Sequence, residues 1–502
     1  MAKSPAEKTK SRKPVTQVNW FDKFRNIILI CLGCFVLYSL YYFNKMKYDD
    51  SSFLGGDEWE YQSIAVNYAT GHGFPVFGCA EPFKKYKLTT SWSKESYEYY
   101  SDEFQNEKPH YNFYRTPGYP FYLGMIYKVF GISPKIAKRS QLLMIIVIAS
   151  FLPLLGFIYW RRAGVIGGLI GGIIFLNKYS SSTVELMTEN LIMLALFMLL
   201  FSFILYKKKR NVYTAALFGL LMGLCLLIKG SLIYIPVLFF GYLIYQLFRK
   251  KNEILYVAVP FVLSVLTILP WSLFATKKEG KPVLLSTQGD VILLQGNNEA
   301  TFTDGSWNPE ALKKNSPTTF YNRPEIKDLP TSKKLILFYK KYYDKIPVVI
   351  KNKLVAGLEE FSYLKFSLIL ISSELLFLIL QFFIKKNWIK NKNDKVWRLC
   401  SLIAAALVGF IFFKIVILLA VTILLTLIVL PTGTVQETKM PISFAILFMN
   451  FLLIVVIILG LPRYTYVIDY LFMLTTFTYL LFNLEYLFHL KLNNLILQQK
   501  KN

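Results

Sequence analysis

Two adjacent carboxylates, Asp57 and Glu58, stand just after an apolar helix ends, within Gly55-Gly56-Asp57-Glu58-Trp59-Glu60-Tyr61. A carboxylate held where the chain leaves a membrane is suited to general-base work on a lipid-borne substrate. On a helix Glu58 points about 100° away from Asp57. The pair is therefore read as one base and one binding or loop-holding residue, not a proton-sharing dyad. Acids opening a helix also complement its dipole, which is the plainer role for such a pair. Cations complete the set. Arg115 and Arg463 fall at expected outer boundaries of apolar spans, and guanidinium is the side chain that grips phosphate through two parallel N–H groups. Lys229 lies between two apolar spans with only Gly230-Ser231 as a turn, and Glu189 lies near the outer end of its span. Ionisable groups so placed are functional candidates, although Lys and Arg at such boundaries also simply snorkel to the interface.

The elements that must position these residues are membrane helices. In 502 residues, 54% are hydrophobic, with 42 Phe and 33 Tyr, and the mean hydropathy is +0.41; an ordinary soluble domain cannot bury that much. Spans of roughly 17–25 apolar residues cross a bilayer, and about twelve are expected by that length, near 26–43, 139–159, 163–178, 185–206, 212–228, 231–248, 254–275, 363–384, 397–413, 415–430, 441–461 and 464–488. The expected fold is thus all-α and polytopic, with two polar external regions, 44–138 and 276–362, carrying interfacial helices. The chain divides into a basic N-terminus (1–25), a membrane module with both external regions (26–430), and C-terminal helices with a tail (431–502).

Orientation follows from the basic residues, which short cytoplasmic loops concentrate. Clusters precede the first helix and recur at Arg161-Arg162, Lys207-Lys208-Lys209-Arg210, Arg249-Lys250-Lys251, Lys385 to Lys395 and Lys500-Lys501. Alternating spans put all of them, and both termini, inside, with both long polar regions outside. The run 397–430 is interrupted only by Lys414 and reads as one helix or two; a single crossing would move the C-terminus outside. The net charge of +26 is spread over short loops, so it reports topology and attraction to anionic lipid, not nucleic-acid binding.

The first helix lacks a small-residue cleavage site and reads as an uncleaved signal anchor. Five cysteines are too scattered for a disulfide framework; Cys31-x-x-Cys34 lies within an apolar span, where two small apolar side chains are the simpler reading. His72, His110 and His489 have no metal-ligand spacing. No nucleotide-binding glycine pattern is present. Residues 57–70 and 117–130 read as amphipathic surface helices, the second started by Pro117 and ended by Gly131. The region 276–330 reads as turns between short strand or loop pieces that close over the first external region as a lid.

Taken in order, Asp57-Glu58-x-x-Tyr61, Arg115-Thr116-Pro117-Gly118-Tyr119-Pro120, Glu189, Leu227-Ile228-Lys229-Gly230, Pro270-Trp271, Ser286-Thr287-Gln288-Gly289 with Gly296-Asn297-Asn298, and Arg463-Tyr464 resemble the bacterial C-type (GT-C) membrane glycosyltransferases, the group of protein O-mannosyltransferases and lipid A aminoarabinose transferases (glycosyltransferase family 39-like). The resemblance covers roughly 20–480 and is carried by the ordered set; no single motif is specific. It implies a GT-C-like catalytic module in the bacterial inner membrane and an active site on the outer face. It also implies transfer (EC 2.4 class) from a polyprenyl-phosphate sugar to an acceptor hydroxyl of a lipid, glycan or protein. Asp57 is then the base, and Glu58, Tyr61, Arg115, Glu189, Lys229, Arg463 and Tyr464 bind substrate. No cofactor or metal is called for, since the lipid-phosphate sugar is a substrate; metal dependence stays open.

One base suffices for such a transfer, because phosphate leaves without protonation, unlike the leaving oxygen in glycoside hydrolysis. Direct displacement inverts the anomeric centre. Where the aminoarabinose transferases carry Lys-Pro-Pro, this chain has Arg115-Thr116-Pro117, and the region 276–362 reads as too short for the sugar-binding domain of the eukaryotic mannosyltransferases. Both departures leave the acceptor and sugar open. Two other classes compete: a cell-envelope polysaccharide polymerase or ligase, whose large external loop tends to come late in the chain, and a lipid-linked sugar flippase or transporter. Repeated halves and helices broken at mid-membrane, usual in the latter, are not readable here.

Overall fold

A computed structural model describes residues 20–49, 57–74, 111, 113–249, 254–303, 320–358, 394–411 and 441–488, with isolated positions between 369 and 380. Among the described residues every regular element is helical. In chain order the helices are α1 (Trp20–Lys45), α2 (Asp57–Ala69), α3 (Gly118–Phe130), α4 (Pro134–Tyr179), α5 (Thr188–Lys209), α6 (Val212–Ile228), α7 (Tyr234–Arg249), α8 (Ile254–Glu279), α9 (Gln288–Gln295), α10 (Thr331–Lys341), α11 (Ile346–Leu358), α12 (Asp394–Ile411), α13 (Ile442–Leu453), α14 (Pro462–Thr465) and α15 (Asp469–Phe488). Six helical segments within this set are long and apolar enough to cross a membrane, and 212–228 and 442–458 are shorter apolar helices. Leu29, Leu37 and Leu40 on α1, and Val262, Leu266 and Leu273 on α8, are exposed, as expected of faces turned to lipid rather than water.

The 46 residues of α4 would run about 69 Å as one rod at 1.5 Å per residue, more than twice the ~30 Å hydrocarbon core. The helix in fact breaks at Trp160 and Arg161, whose φ of 55° is left-handed. Its halves turn back on each other so closely that a Cβ on Gly156 would lie 2.0 Å from Gly164 O. The two separate spans expected at 139–159 and 163–178 are these halves. The expected spans 363–384 and 415–430, and the choice between one helix and two in 397–430, lie largely or wholly outside the described residues.

The large core formed by α4, α5, α6, α13 and α15 is aromatic-rich, with Phe175, Phe203, Phe218, Tyr470 and Tyr479 essentially inaccessible. Two expectations change in the external regions. The helix α2 does not lie amphipathically on a surface: Trp59, Tyr61, Ile64, Ala65 and Val66 are buried together with Gln62, Ser63 and Asn67, and α3 covers it. Its apolar side chains project on more than one face, so one exposed side would leave a stripe uncovered. The lipid-like exposed face belongs to α3 instead, through Phe121, Met125, Val129 and Phe130. In the second external region the expected short strands are absent among the described residues. Gln288–Gln295 is a helix, and its Leu and Ile residues pack in two directions, Ile292 on the main core and Leu294 on a satellite cluster around Phe338.

Candidate functional site

The first turn of α2 places Asp57, Glu60 and Tyr61 on one face, as positions i, i+3 and i+4 of a helix must be. Opposite them is Arg115, in the turn before α3. That turn is anchored to the end of α6: Thr116 Oγ1 donates to Ile228 O at 2.8 Å. The backbones also touch there, since a Cβ on Gly118 would meet Leu227 and Ile228 backbone atoms at 2.7 Å. Lys229 is the next residue of that same end. Glu189 comes from the first turn of α5, and Arg463 from the short α14, which follows the break after the last turn of the 442–458 helix.

These elements bring three cations and three carboxylates together. Arg115 donates Nη2 to Asp57 Oδ1 at 2.6 Å and Nε to Glu60 Oε2. Arg463 donates Nη2 to the other Asp57 oxygen, Oδ2, at 2.6 Å. Lys229 Nζ donates to Glu189 Oε1 at 3.1 Å, which is also 3.9 Å from Arg463 Nε. Aromatic faces back the cations. The Arg115 guanidinium lies 5.4 Å from the Tyr61 ring centre and 5.0 Å from that of Tyr114, and Lys229 Nζ is 4.8 Å from the Tyr464 ring; such contacts favour cations, more so when desolvated. Burial alone would raise the Asp57 carboxyl, but the Arg115 and Arg463 guanidiniums beside it win and hold it below the usual carboxylate range.

The cluster borders a cavity of about 310 Å³. Tyr61, Arg115, Lys229, Arg463 and Tyr464 stand on its wall, and an apolar flank is supplied by Ile228, Ile233, Leu284, Leu285, Ile292 and Leu293. Residues 284–293 close one side, as the lid expectation required; Thr287 N donates to Phe113 O at 2.8 Å and Trp271 Nε1 to Leu285 O at 2.8 Å, tying lid to first region and to α8. Two polar groups here lack hydrogen-bond partners, Arg463 Nε and the hydroxyl of Ser231. Asp57, Glu60 and Glu189 are not wall residues: they sit behind the cations they bind.

Of the residues picked from sequence, Asp57, Tyr61, Arg115, Glu189, Lys229, Arg463 and Tyr464 converge. Glu58 does not. It is absent from the cavity wall, 2% exposed and set toward the Leu186 backbone, Lys138 and Gln62, and burial pushes its carboxyl up to about 7. Glu60 was not singled out, although its spacing of three from Asp57 is the signal for a shared face. Lys353 was also missed. Buried on α11, it donates to Asn297 Oδ1 at 2.5 Å, Val456 O at 3.2 Å and Ile458 O at 3.4 Å. An isolated Lys in a polar region carries no sequence signal of burial.

No match to this chain was found among protein-family models, curated proteins or solved structures. Among the described residues no three His, Cys, Asp or Glu side chains gather as metal ligands do.

Proposed function

We propose that this protein is a membrane glycosyltransferase that moves a sugar from a polyprenyl-phosphate donor to an acceptor hydroxyl on the outer face of a bacterial plasma membrane, with inversion. The observation that carries this reading is a carboxylate bridged by two guanidiniums that themselves stand on the wall of a partly apolar cavity. Guanidiniums suit a phosphodiester, the apolar flank suits the first isoprene units, and Asp57 suits proton abstraction. In the transfer the acceptor O–H gives its proton to Asp57, its oxygen bonds to the anomeric carbon, and the carbon–oxygen bond to phosphate breaks with its electron pair on the phosphate. Arg115, Arg463 and Lys229 stabilise that growing charge as cations already fixed in place. Orientation is supported by the ends of α5 and α6: Glu189 and Lys229 share one end of this antiparallel pair, and Lys207, Lys208 and Lys209 mark the other, the end that basic residues keep cytoplasmic.

The test uses the purified full-length protein in detergent with synthetic polyprenyl-phosphate sugars. Release of polyprenyl phosphate, coupled to a glycoside of inverted configuration by NMR, is the expected result. In cells, a lipid-phosphate sugar should accumulate when the gene is deleted. If no such sugar is consumed in vitro and none accumulates in vivo, the reading is wrong.

A further inference from the structure

The site is filled by its own charges. Three cations, Arg115, Arg463 and Lys229, face three carboxylates, Asp57, Glu60 and Glu189, in one connected network. A phosphodiester brings another negative charge, and beside the buried Arg115, Lys229 and Glu189 an extra uncompensated charge is costly. It meets cations already engaged, since Arg115 Nε and Nη2 and Arg463 Nη2 are on Glu60 and Asp57. The geometry also hides the base: the cations stand on the cavity wall, and Asp57 lies behind them with both oxygens bound by guanidiniums.

We propose that Asp57 and Glu60 occupy the guanidinium positions that belong to the donor phosphate, and that phosphate entry exchanges these contacts and uncovers Asp57 as the base. This rests on the function proposed above and adds an order to it: donor first, then proton abstraction. The arginines can turn without the site collapsing, because they have other supports. Arg115 lies within 5.4 Å of the Tyr61 ring and 5.0 Å of the Tyr114 ring, and the backbone of its turn is fixed through Thr116 and Gly118 to the end of α6. Arg463 stands next to Tyr464, 5.7 Å from that ring, on a segment fixed by Thr465 Oγ1 donating to Gly357 O at 2.7 Å. Its Nε is already unpartnered. Once the guanidiniums engage phosphate, Asp57 loses the partners that depress its basicity and gains an anion nearby; both changes make it a better base. A site without donor then has no competent base.

The experiment is a sign test with farnesyl phosphate, titrated calorimetrically into the full-length protein in detergent. The variants are Asp57→Asn and Glu60→Gln, with Glu58→Gln as the control outside the cavity. If the carboxylates compete with phosphate, both site variants bind farnesyl phosphate more tightly, by about tenfold, and Glu58→Gln binds as the parent does. If they instead scaffold the arginines, both bind more weakly, and the exchange is overturned; affinity unchanged for farnesyl phosphate and for inorganic phosphate alike overturns it equally. Inorganic phosphate forms the second arm: tighter binding of it by the same two variants, with no gain for farnesyl phosphate, keeps the exchange and rejects the lipid-borne source. Absence of binding to the parent and to both site variants, for either probe, removes the phosphate-donor reading itself, an outcome distinct from the other failures.

Discussion

At the scale of single residues, Asp57 and Glu58 show how neighbours acquire opposite characters. Asp57 is kept ionised by two guanidiniums, while Glu58, one position on and facing inward, has Oε1 unpartnered and is pushed up to about 7 by burial. Asp57→Asn keeps the shape and cannot take a proton, so turnover should fall by about 10²–10⁴-fold with donor still bound, whereas Glu58→Gln should keep near-normal turnover. Equal collapse of both variants, each checked for folding, would reassign the base. Glu58 also makes a pH prediction. Its unfolded pKa is near 4.3 and its folded value is higher, so between about 4.3 and about 7 the folded state holds a proton that the unfolded chain has lost. Stability is full below that window and falls as pH rises through it. Melting in detergent should show this slope in the parent and not in Glu58→Gln, which should gain most above neutrality; an unchanged slope would remove Glu58 as its source. For the arginines, Arg115→Gln or Arg463→Gln should raise the donor concentration at half-maximal rate, and Lys should restore only part of the loss because it lacks the planar fork. Donor dependence that stays as in the parent for both Gln variants would take them out of the site.

At the scale of elements, the site depends on helix ends. Glu189 opens α5, Lys229 follows α6, Asp57 opens α2, and Arg463 follows the break after the 442–458 helix. Those ends were legible because apolar runs of membrane length terminate visibly and charged residues mark where. What sequence could not give is how irregular backbone is held. After α13 the chain passes through a wide turn, Ile454–Ile458, whose late carbonyls have no helical partners of their own. Lys353 takes two of them, along with Asn297. Gly296 makes the approach possible, since a Cβ there would sit 1.7 Å from Ile458 O. The Gly296-Asn297-Asn298 motif was readable as a turn; that it docks on a broken helix five residues before Arg463 depends on contacts across the fold. Lys353→Met removes the donor from the Val456 and Ile458 carbonyls, while Asn297 Oδ1 keeps the Tyr339 hydroxyl, a loss of about 1–3 kcal/mol for each group left unsatisfied. The expected outcome is a clear drop in melting temperature together with a weaker apparent affinity for donor, because Arg463 loses its fixed approach. A stable variant with unaltered donor affinity would mean that Gly296 and the aromatic contacts suffice.

At the scale of the whole molecule, the charges divide the helical bundle into two ends. Lys207, Lys208 and Lys209 close α5 at one end, with Arg161 and Arg162 at the break of α4, while the six-charge network gathers at the other. The two ends make different demands on the chain. Scattered lysines at a loop end need only water and anionic headgroups. A paired network needs several elements converging, and α2, α3 and α9 do so around it, covering helix ends that would otherwise meet solvent. This asymmetry gives a prediction that does not depend on which sugar or acceptor is used. Reporter fusions placed after residues 74, 131 and 303 should report the outer side, and fusions after 162, 210 and 249 the inner. Alternation should hold through α4 as two crossings, because its break at Arg161 returns the chain within the bilayer thickness. An outer reading at 162 together with an inner reading at 131 would invert the molecule and put the network on the cytoplasmic side. A matching side for 131 and 162 would mean that the α4 break does not lie at a membrane face, and the two-crossing geometry would fail with it.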